Sequence, residues 1–185
     1  MSRLLRYFKA LQKLSAEDVS YISGFMKTVD IAPGEDWILH GTGAGIACIQ
    51  TGLIKRFSKE SKAASAFYEE GDILVLGFKE HYMKYVAIEQ TCIHYIEDDD
   101  MIHLCERYPV LNHVGTKLYY VREEDKRIAE RQFFNVQSPI ERVQRFIWHY
   151  PRLASRLPDS ELAEYLFISA TIVGTARKKR GLRII

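Results

Sequence analysis

Short apolar or alternating segments separated by turn residues occupy the chain from about residue 29 to residue 96. These segments lie at residues 37–39, 46–49, 53–57, 66–68, 73–76 and 92–96. Turn residues between them, mostly glycine with proline, threonine or acidic residues, fall at 33–35, 41–43, 51–52 and 70–72. Many short strands joined by regularly spaced turns are typical of a β-sandwich or a β-roll. The pattern therefore predicts an all-β unit in this part of the chain.

Helical periodicity is found on both sides of this unit. Before it, helices are predicted at 3–14 and 16–28, with Ser15 as the hydroxyl cap of the second. After it, a short helix is predicted from 97 to about 105, and another from 139 to about 148. Two short amphipathic helices, 159–166 and 170–180, follow with three residues between them. That spacing is typical of a helix-turn-helix.

A long helical segment, from Pro109 to about Asn135, connects these parts of the chain. Its apolar positions recur at alternating steps of three and four residues, with one polar interruption. The positions are Leu111, Val114, Leu118, Val121, Asp125 and Ile128. Such a heptad seam is typical of two helices that pack in a dimer, where a polar position can fix their register. The same stripe would also suit a helix laid on the core of its own domain.

Charge is divided unevenly along the chain. Residues 1–137 hold 17 Lys and Arg against 20 Asp and Glu, a net charge of −3. Residues 138–185 hold 9 Lys and Arg against 4 Asp and Glu, a net charge of +5. This asymmetry indicates an anionic partner at the C-terminal end, and nucleic acid is the first candidate.

Cysteine and histidine usage argues against a metal centre. Cys48, Cys92 and Cys105 are widely spaced, form no CxxC pair and fall short of the four thiolates of an iron–sulfur cluster. The six histidines are dispersed, without the clustering that a cupin-type metalloenzyme requires. No apolar run reaches the roughly 18 residues of a membrane span. The N-terminus lacks the pattern of a signal peptide, so a cytoplasmic protein without membrane contact is expected.

Several turns and helices of this sequence, in their order, resemble the Crp/Fnr family of transcription regulators. The resemblance rests on the turns at 33–41, 51–55 and 70–73, on the helix at 109–135 and on residues 157–166, Leu-Pro-Asp-Ser-Glu-Leu-Ala-Glu-Tyr-Leu. It implies an α+β fold with an N-terminal double-stranded β-helix (a β-roll or jelly-roll), a long dimerisation helix and a C-terminal helix-turn-helix. The corresponding domains are a cyclic-nucleotide-binding-like sensor at 1–108, the dimerisation helix at 109–137 and the DNA-binding domain at 138–185.

The sequence departs from the cyclic-nucleotide binders of that family. These carry a Gly-Glu pair for the ribose and an Arg for the cyclic phosphate, but the corresponding residues 75–86 contain neither. Without a guanidinium the cyclic phosphate loses its best partner, so no dependence on a cyclic nucleotide is expected. The cofactor or effector is left unknown. Glu80, His81 and Lys84 are the polar candidates for an effector pocket in this stretch.

The second helix of the helix-turn-helix carries the candidate DNA contacts. Ser169, Ala170, Thr171 and Thr175 stand where the family places longer base-reading side chains. Arg177, Lys178, Lys179 and Arg180 would suit contacts to phosphates. Phe167 occupies a turn position that is usually glycine, where a positive φ is costly for a bulky side chain.

The hypothesis that best fits these features is a dimeric Crp/Fnr-type transcription regulator that is not an enzyme. Its expected partners are a second copy of the chain, double-stranded DNA and, as a further candidate, RNA polymerase. The alternative is a dimeric sensor or interaction protein whose helix-turn-helix no longer reads DNA. A cupin-type metalloenzyme is a third and weaker alternative.

Overall fold

Eight strands, arranged in two antiparallel sheets, form the centre of the described structure. The computed structural model describes residues 2–37, 45–60, 64–76, 83–113, 130 and 133–179. The strands are β1 (Lys27–Ile31), β2 (Asp36–Trp37), β3 (Gly45–Thr51), β4 (Leu53–Ser58), β5 (Ala64–Glu69), β6 (Ile73–Leu76), β7 (Met83–Ala87) and β8 (Thr91–Glu97). One sheet has the order β1-β8-β3-β6 and the other β2-β7-β4-β5. Consecutive strands therefore alternate between sheets at several points, which is the arrangement of a β-roll.

The interior of the roll is filled by the inward side chains of both sheets. Ile49, Ile54 and Ile93 are fully buried there, and the Trp37 ring meets the Tyr85 ring edge-on at 5.9 Å between centroids. Gly52, at φ 101°, turns the chain from β3 into β4. A Cβ at this position would lie 2.3 Å from the Thr91 hydroxyl oxygen, so only glycine fits the turn.

Three helices and a 3₁₀ turn cover the outer face of the sheet β1-β8-β3-β6. They are α1 (Arg3–Leu11), α2 (Ala16–Gly24), α3 (Asp98–Arg107) and the 3₁₀ turn Pro109–Leu111. Ser15 and Asp18 form a capping box at the start of α2, so the predicted hydroxyl cap is confirmed. Apolar side chains of these helices, including Phe8, Ile22 and Leu104, pack on Ile46 and other residues of the sheet.

Four helices cover the outer face of the other sheet. They are α4 (Pro139–His149), α5 (Pro151–Arg156), α6 (Asp159–Leu166) and α7 (Ala170–Lys179), called the head below. The Ser138 hydroxyl accepts a bond from the Glu141 amide and caps α4. Phe146, Leu162 and Leu166 of the head pack in one cluster with Leu53 and Phe67 of the sheet.

The structure confirms the α+β fold class, with a β-roll followed by a helix-turn-helix. The helix predicted at 16–28 is shorter in the structure, since α2 ends at Gly24 and strand β1 begins at Lys27. Strands β1 and β7 and helix α5 are not among the elements predicted from the sequence. Among the described residues, no helix is long and apolar enough to cross a lipid bilayer.

The predicted seam from Leu111 to Ile128 is corrected at its first position. Leu111 is buried against the N-terminal helices of its own chain, and it ends a 3₁₀ turn instead of lying within an α-helix. The tighter winding of a 3₁₀ turn changes the direction of its side chains, so this residue does not continue a heptad stripe. The other seam positions, Val114, Leu118, Val121, Asp125 and Ile128, lie outside the described residues.

Candidate nucleic-acid interface

Helices α6 and α7 form the helix-turn-helix at the positions that the sequence predicts. Leu162 and Leu166 of α6 and Val173 of α7 are fully buried between them and the rest of the head. Ala163 is small and buried, as expected of a residue at a helix crossing. The helices also approach closely at Gly174, where a Cβ would lie 3.1 Å from an Asp159 carboxylate oxygen.

The turn between the helices is held in a strained backbone conformation. Phe167 has φ 54° and ψ 49°, and among the described residues no other non-glycine has a positive φ. Its amide donates to the Glu164 carbonyl, and the Ile168 amide donates to the Ala163 carbonyl at 3.0 Å. Arg142 of α4 donates to the Leu166 carbonyl at 2.9 Å. These bonds satisfy the end of α6 and fix the direction in which α7 begins.

One face of α7 is open to solvent. Its exposed residues are Ser169, Ala170, Thr171, Thr175, Lys178 and Lys179, where Ser169 immediately precedes the helix. The Thr175 hydroxyl donates to the Thr171 carbonyl at 2.8 Å, which leaves its methyl group and oxygen lone pairs for any external contact. The face therefore combines short side chains at its start with two lysines at its end.

Arg177 does not belong to that exposed face, which corrects its predicted contact to phosphate. The side chain is 5 % exposed, donates to the Leu157 carbonyl at 2.8 Å, and its Nε lies 3.2 Å from an Asp159 carboxylate oxygen. Burial lowers the pKa of Arg177, while Asp159 opposes that shift. The residue joins α7 to the start of α6 and thus supports the head from within. Arg180 lies outside the described residues.

The head is docked on its own β-roll through charged and aromatic contacts. Lys55 of β4 and Glu161 of α6 form a half-buried ion pair at 2.6 Å. The Phe67 ring of β5 meets the Tyr165 ring of α6 edge-on at 5.0 Å between centroids. None of these contacts is predicted from the sequence, because they join residues that are far apart along the chain.

Arg156, the last residue of α5, is the centre of a second set of ion pairs across this boundary. Its guanidinium makes a bidentate contact to Glu70, at 2.7 and 3.0 Å, and also contacts Glu69 and Glu89. Burial alone would lower the pKa of Arg156, but the Glu89 and Glu70 carboxylates raise it well above its usual value. Burial also raises the pKa of Glu69, which Arg152 and Arg156 only partly offset.

The residues predicted for an effector pocket do not assemble one within the described part of the chain. Lys84 lies on the outer side of β7, where its ammonium pairs with Asp36 of β2 at 2.8 Å. Its side chain thus faces away from the interior of the roll, which Tyr85 and Ala87 occupy. Glu80 and His81 lie outside the described residues. Within the part of the chain that the structure describes, no group of three or more His, Cys, Asp or Glu side chains is placed to hold a metal ion.

No protein-family model and no curated protein match this sequence. Its structure, however, is similar to solved structures over most of both chains. A protein from Eubacterium rectale described as a transcriptional regulator of the Crp/Fnr family is 14 % identical, with a TM-score of 0.68 over 95 % of this chain and 88 % of the other. FixK2 from Bradyrhizobium japonicum is 13 % identical, with a TM-score of 0.66 over 84 % and 86 %.

A protein from Listeria monocytogenes that contains a cyclic nucleotide-binding domain is 13 % identical, with a TM-score of 0.64 over 96 % of this chain and 90 % of the other. At such low identities the likeness concerns the fold, and it extends from the β-roll through the helix-turn-helix. The resemblance that the sequence suggested is thereby confirmed, and the chain has the fold of the Crp/Fnr family of transcription regulators.

Proposed function

We propose that this protein is a transcription regulator that binds double-stranded DNA through α7. The observation that carries this proposal is the solvent-exposed face of α7, with Lys178 and Lys179 at its end, in a C-terminal region of net charge +5. Exposed lysines on a recognition helix suit phosphate contacts, which position a protein on the duplex. The short side chains of Ser169, Ala170 and Thr171 would then meet base edges or thymine methyl groups.

The protein acts as a dimer in this proposal. With Leu111 removed from the seam, the dimer contact rests on Val114, Leu118, Val121, Asp125 and Ile128, which stay a prediction from the sequence. The two-fold symmetry of such a dimer places its half-sites about one helical turn of DNA apart. The effector, if the roll binds one, is not a cyclic nucleotide, since residues 75–86 lack the required Gly-Glu pair and Arg.

A second function is favoured by a different observation. Ala170, Thr171 and Thr175 lack the long bidentate groups that contribute roughly 1–3 kcal/mol of base discrimination each. The Thr175 hydroxyl is already bonded within its helix, and Arg177 is buried. A head of this kind also suits a sensor or interaction protein that no longer reads DNA sequence.

Selection from randomised duplex DNA, followed by a salt series on the recovered sites, separates the two functions. A regulator should recover a palindrome, and Lys178→Ala with Lys179→Ala should make the slope of log affinity against log salt shallower by about four, roughly 0.9 for each of the four lysines that a dimer presents. Lys9→Ala with Lys13→Ala, an exposed lysine pair near the N-terminus, is the charge-matched control and should leave the slope unchanged. A dimer that ignores DNA at low salt would leave only the sensor or interaction protein.

A further inference from the structure

A cleft of about 230 Å³ opens at the boundary between the β-roll and the head. It is lined by Ser58, Ala64, Ser65, Glu130, Phe134, Tyr165 and Phe167. The first three belong to β4 and β5, and the last two to α6 and the turn that follows it. The cleft is therefore separate from the interior of the roll, and anything bound in it would contact the roll and the head together.

Three aromatic rings and one carboxylate give this cleft its chemistry. The ring centroids of Tyr165 and Phe167 lie 6.1 and 6.0 Å from that of Phe134, at interplanar angles of 60° and 48°. Because the rings are inclined to one another, they line the sides of the cleft and are not stacked face to face. The Tyr165 hydroxyl donates to a Glu130 carboxylate oxygen at 2.7 Å, so the carboxylate is held at the edge of these rings.

Phe167 supplies an independent reason to expect an occupant. Its left-handed backbone conformation is unfavourable for a bulky residue, and glycine would adopt it without strain. Burial of the ring would offset that strain, but Phe167 is 71 % exposed. A residue that is both strained and exposed is typical of a position where a bound partner completes the structure.

We propose that this cleft binds a small organic cation, an amine or quaternary ammonium compound. The positive group would lie against the faces of the Tyr165 and Phe167 rings, which carry a negative quadrupole, with the Glu130 carboxylate as its counter-ion. The Phe134 ring already has a cation of the protein over it, the Arg142 guanidinium at 5.9 Å from the ring centroid. The volume is below the 300–1,000 Å³ typical of drug-sized ligands, which restricts the occupant to a small molecule. Because the ligand touches β5 and the turn before α7, its binding favours the docked position of the head.

Choline and its uncharged isostere 3,3-dimethylbutan-1-ol test the proposal, by titration calorimetry on the full chain without DNA. Choline should bind at least about ten-fold more tightly than the alcohol, since only choline gains the cation–π and carboxylate interactions. Glu130→Gln should reduce that preference several-fold, because Gln keeps an acceptor for the Tyr165 hydroxyl but has no charge, while the cation–π contact with the rings remains. Glu164→Gln, which removes an exposed carboxylate of α6 outside the cleft, should bind both compounds as the unmodified protein does.

Phe167→Gly keeps the test informative if Glu130→Gln fails to fold. This substitution relieves the backbone and should raise the melting temperature while it weakens choline binding several-fold. Equal affinity for choline and the alcohol, or no choline binding at about 10 mM, would overturn the proposal. Since no DNA is present, either result leaves the proposed DNA binding untouched, and a failure to bind DNA leaves the cation site untouched.

Discussion

The two outer faces of the β-roll are both covered by helices, but by different chemistry. On the sheet β1-β8-β3-β6, Leu4, Phe8 and Ile22 of the N-terminal helices are fully buried in an apolar cluster. On the sheet β2-β7-β4-β5, the apolar contact with the head is flanked by the Lys55–Glu161 pair and by Arg156 with its three carboxylates. Apolar contact does not depend on pH, and ion pairs respond to pH and salt.

From this difference we expect the boundary with the head to respond to pH and salt more than the boundary with the N-terminal helices does. Burial of apolar surface makes the N-terminal helices part of the folding unit of the roll. The head supplies most of the residues of an apolar cluster, with Phe146, Leu157 and Leu162 fully buried, so we expect the head to stay folded when the ion pairs are lost. We therefore expect the boundary between the roll and the head to open before either part unfolds.

The largest expected effect is on the apolar face. Phe8→Ala should lower the free energy of unfolding by about 3–5 kcal/mol, because it leaves a cavity beneath α1. Denaturant unfolding, with Lys9→Ala as an exposed control on the same helix, measures this loss. A loss below about 1 kcal/mol would mean that the N-terminal helices are as loosely attached as we expect the head to be.

A smaller effect is expected at the charged boundary. Arg156→Met should cost about 1–3 kcal/mol, since it leaves Glu69, Glu70 and Glu89 close together without their counter-ion, although partial exposure screens them. Hydrogen exchange should rise across α5 and α6 and stay unchanged in α1. Removal of the exposed Arg145–Glu141 pair by Arg145→Ala is the control, with an expected cost of at most about 1 kcal/mol. Uniform exchange in all helices would contradict a separable head.

The acidic partners of Arg156 predict opposite pH dependences. Burial raises the pKa of Glu69 in the folded protein above its unfolded-state value. Its contribution to stability is therefore lost as the pH rises from the unfolded-state pKa through the folded-state pKa. Burial would also raise the pKa of Glu70, but the bonds from Arg156 and the Gly52 amide lower it overall. Its stabilising contribution is therefore present above the unfolded-state pKa and is lost as the pH falls through the folded-state pKa.

Glu69→Gln should accordingly be at least as stable as the unmodified protein at pH 7, whereas Glu70→Gln should be less stable. The deficit of Glu70→Gln should shrink as the pH falls and vanish once Glu70 is protonated in the folded protein. Urea denaturation between pH 4 and pH 8 measures both trends. If the free energy of unfolding of the two variants depends on pH in the same way, the pKa values of Glu69 and Glu70 are not shifted in opposite directions, and the prediction is wrong.

The sequence predicts regular elements well where a local pattern is complete. The strands next to glycine turns and the helices of the helix-turn-helix lie where the periodicity places them. Strand β1 is not predicted because its alternation is short: only Val29 and Ile31 face the core, and the helix predicted at 16–28 overlaps its first residues. Helix α5 is not predicted because proline within a helical pattern usually ends the helix, although Pro151 stands at the first position of a new helix, where proline is favoured.

The candidate site is predicted only in part, for a physical reason. The exposed residues of α7 follow from helical geometry, since they share one side of an amphipathic helix. The burial of Arg177 depends on Asp159 and on the Leu157 carbonyl, and the docking of Arg156 depends on Glu70, which is 86 residues away. Charged residues read alone are expected at the surface, so their long-range partners are visible only in three dimensions.

The smallest expected effect lies at Phe167, at the edge of the boundary between the roll and the head. Phe167→Gly should raise the free energy of unfolding by about 0.5–1 kcal/mol, because relief of the left-handed backbone outweighs the greater freedom of glycine in the unfolded chain. Phe167→Ala is the matched control, since alanine also lacks the ring but keeps the unfavourable conformation. Thermal unfolding of both variants should place glycine above the unmodified protein and alanine at or below it. If alanine stabilises the protein as much as glycine does, the exposed ring and not the backbone is the source of the strain.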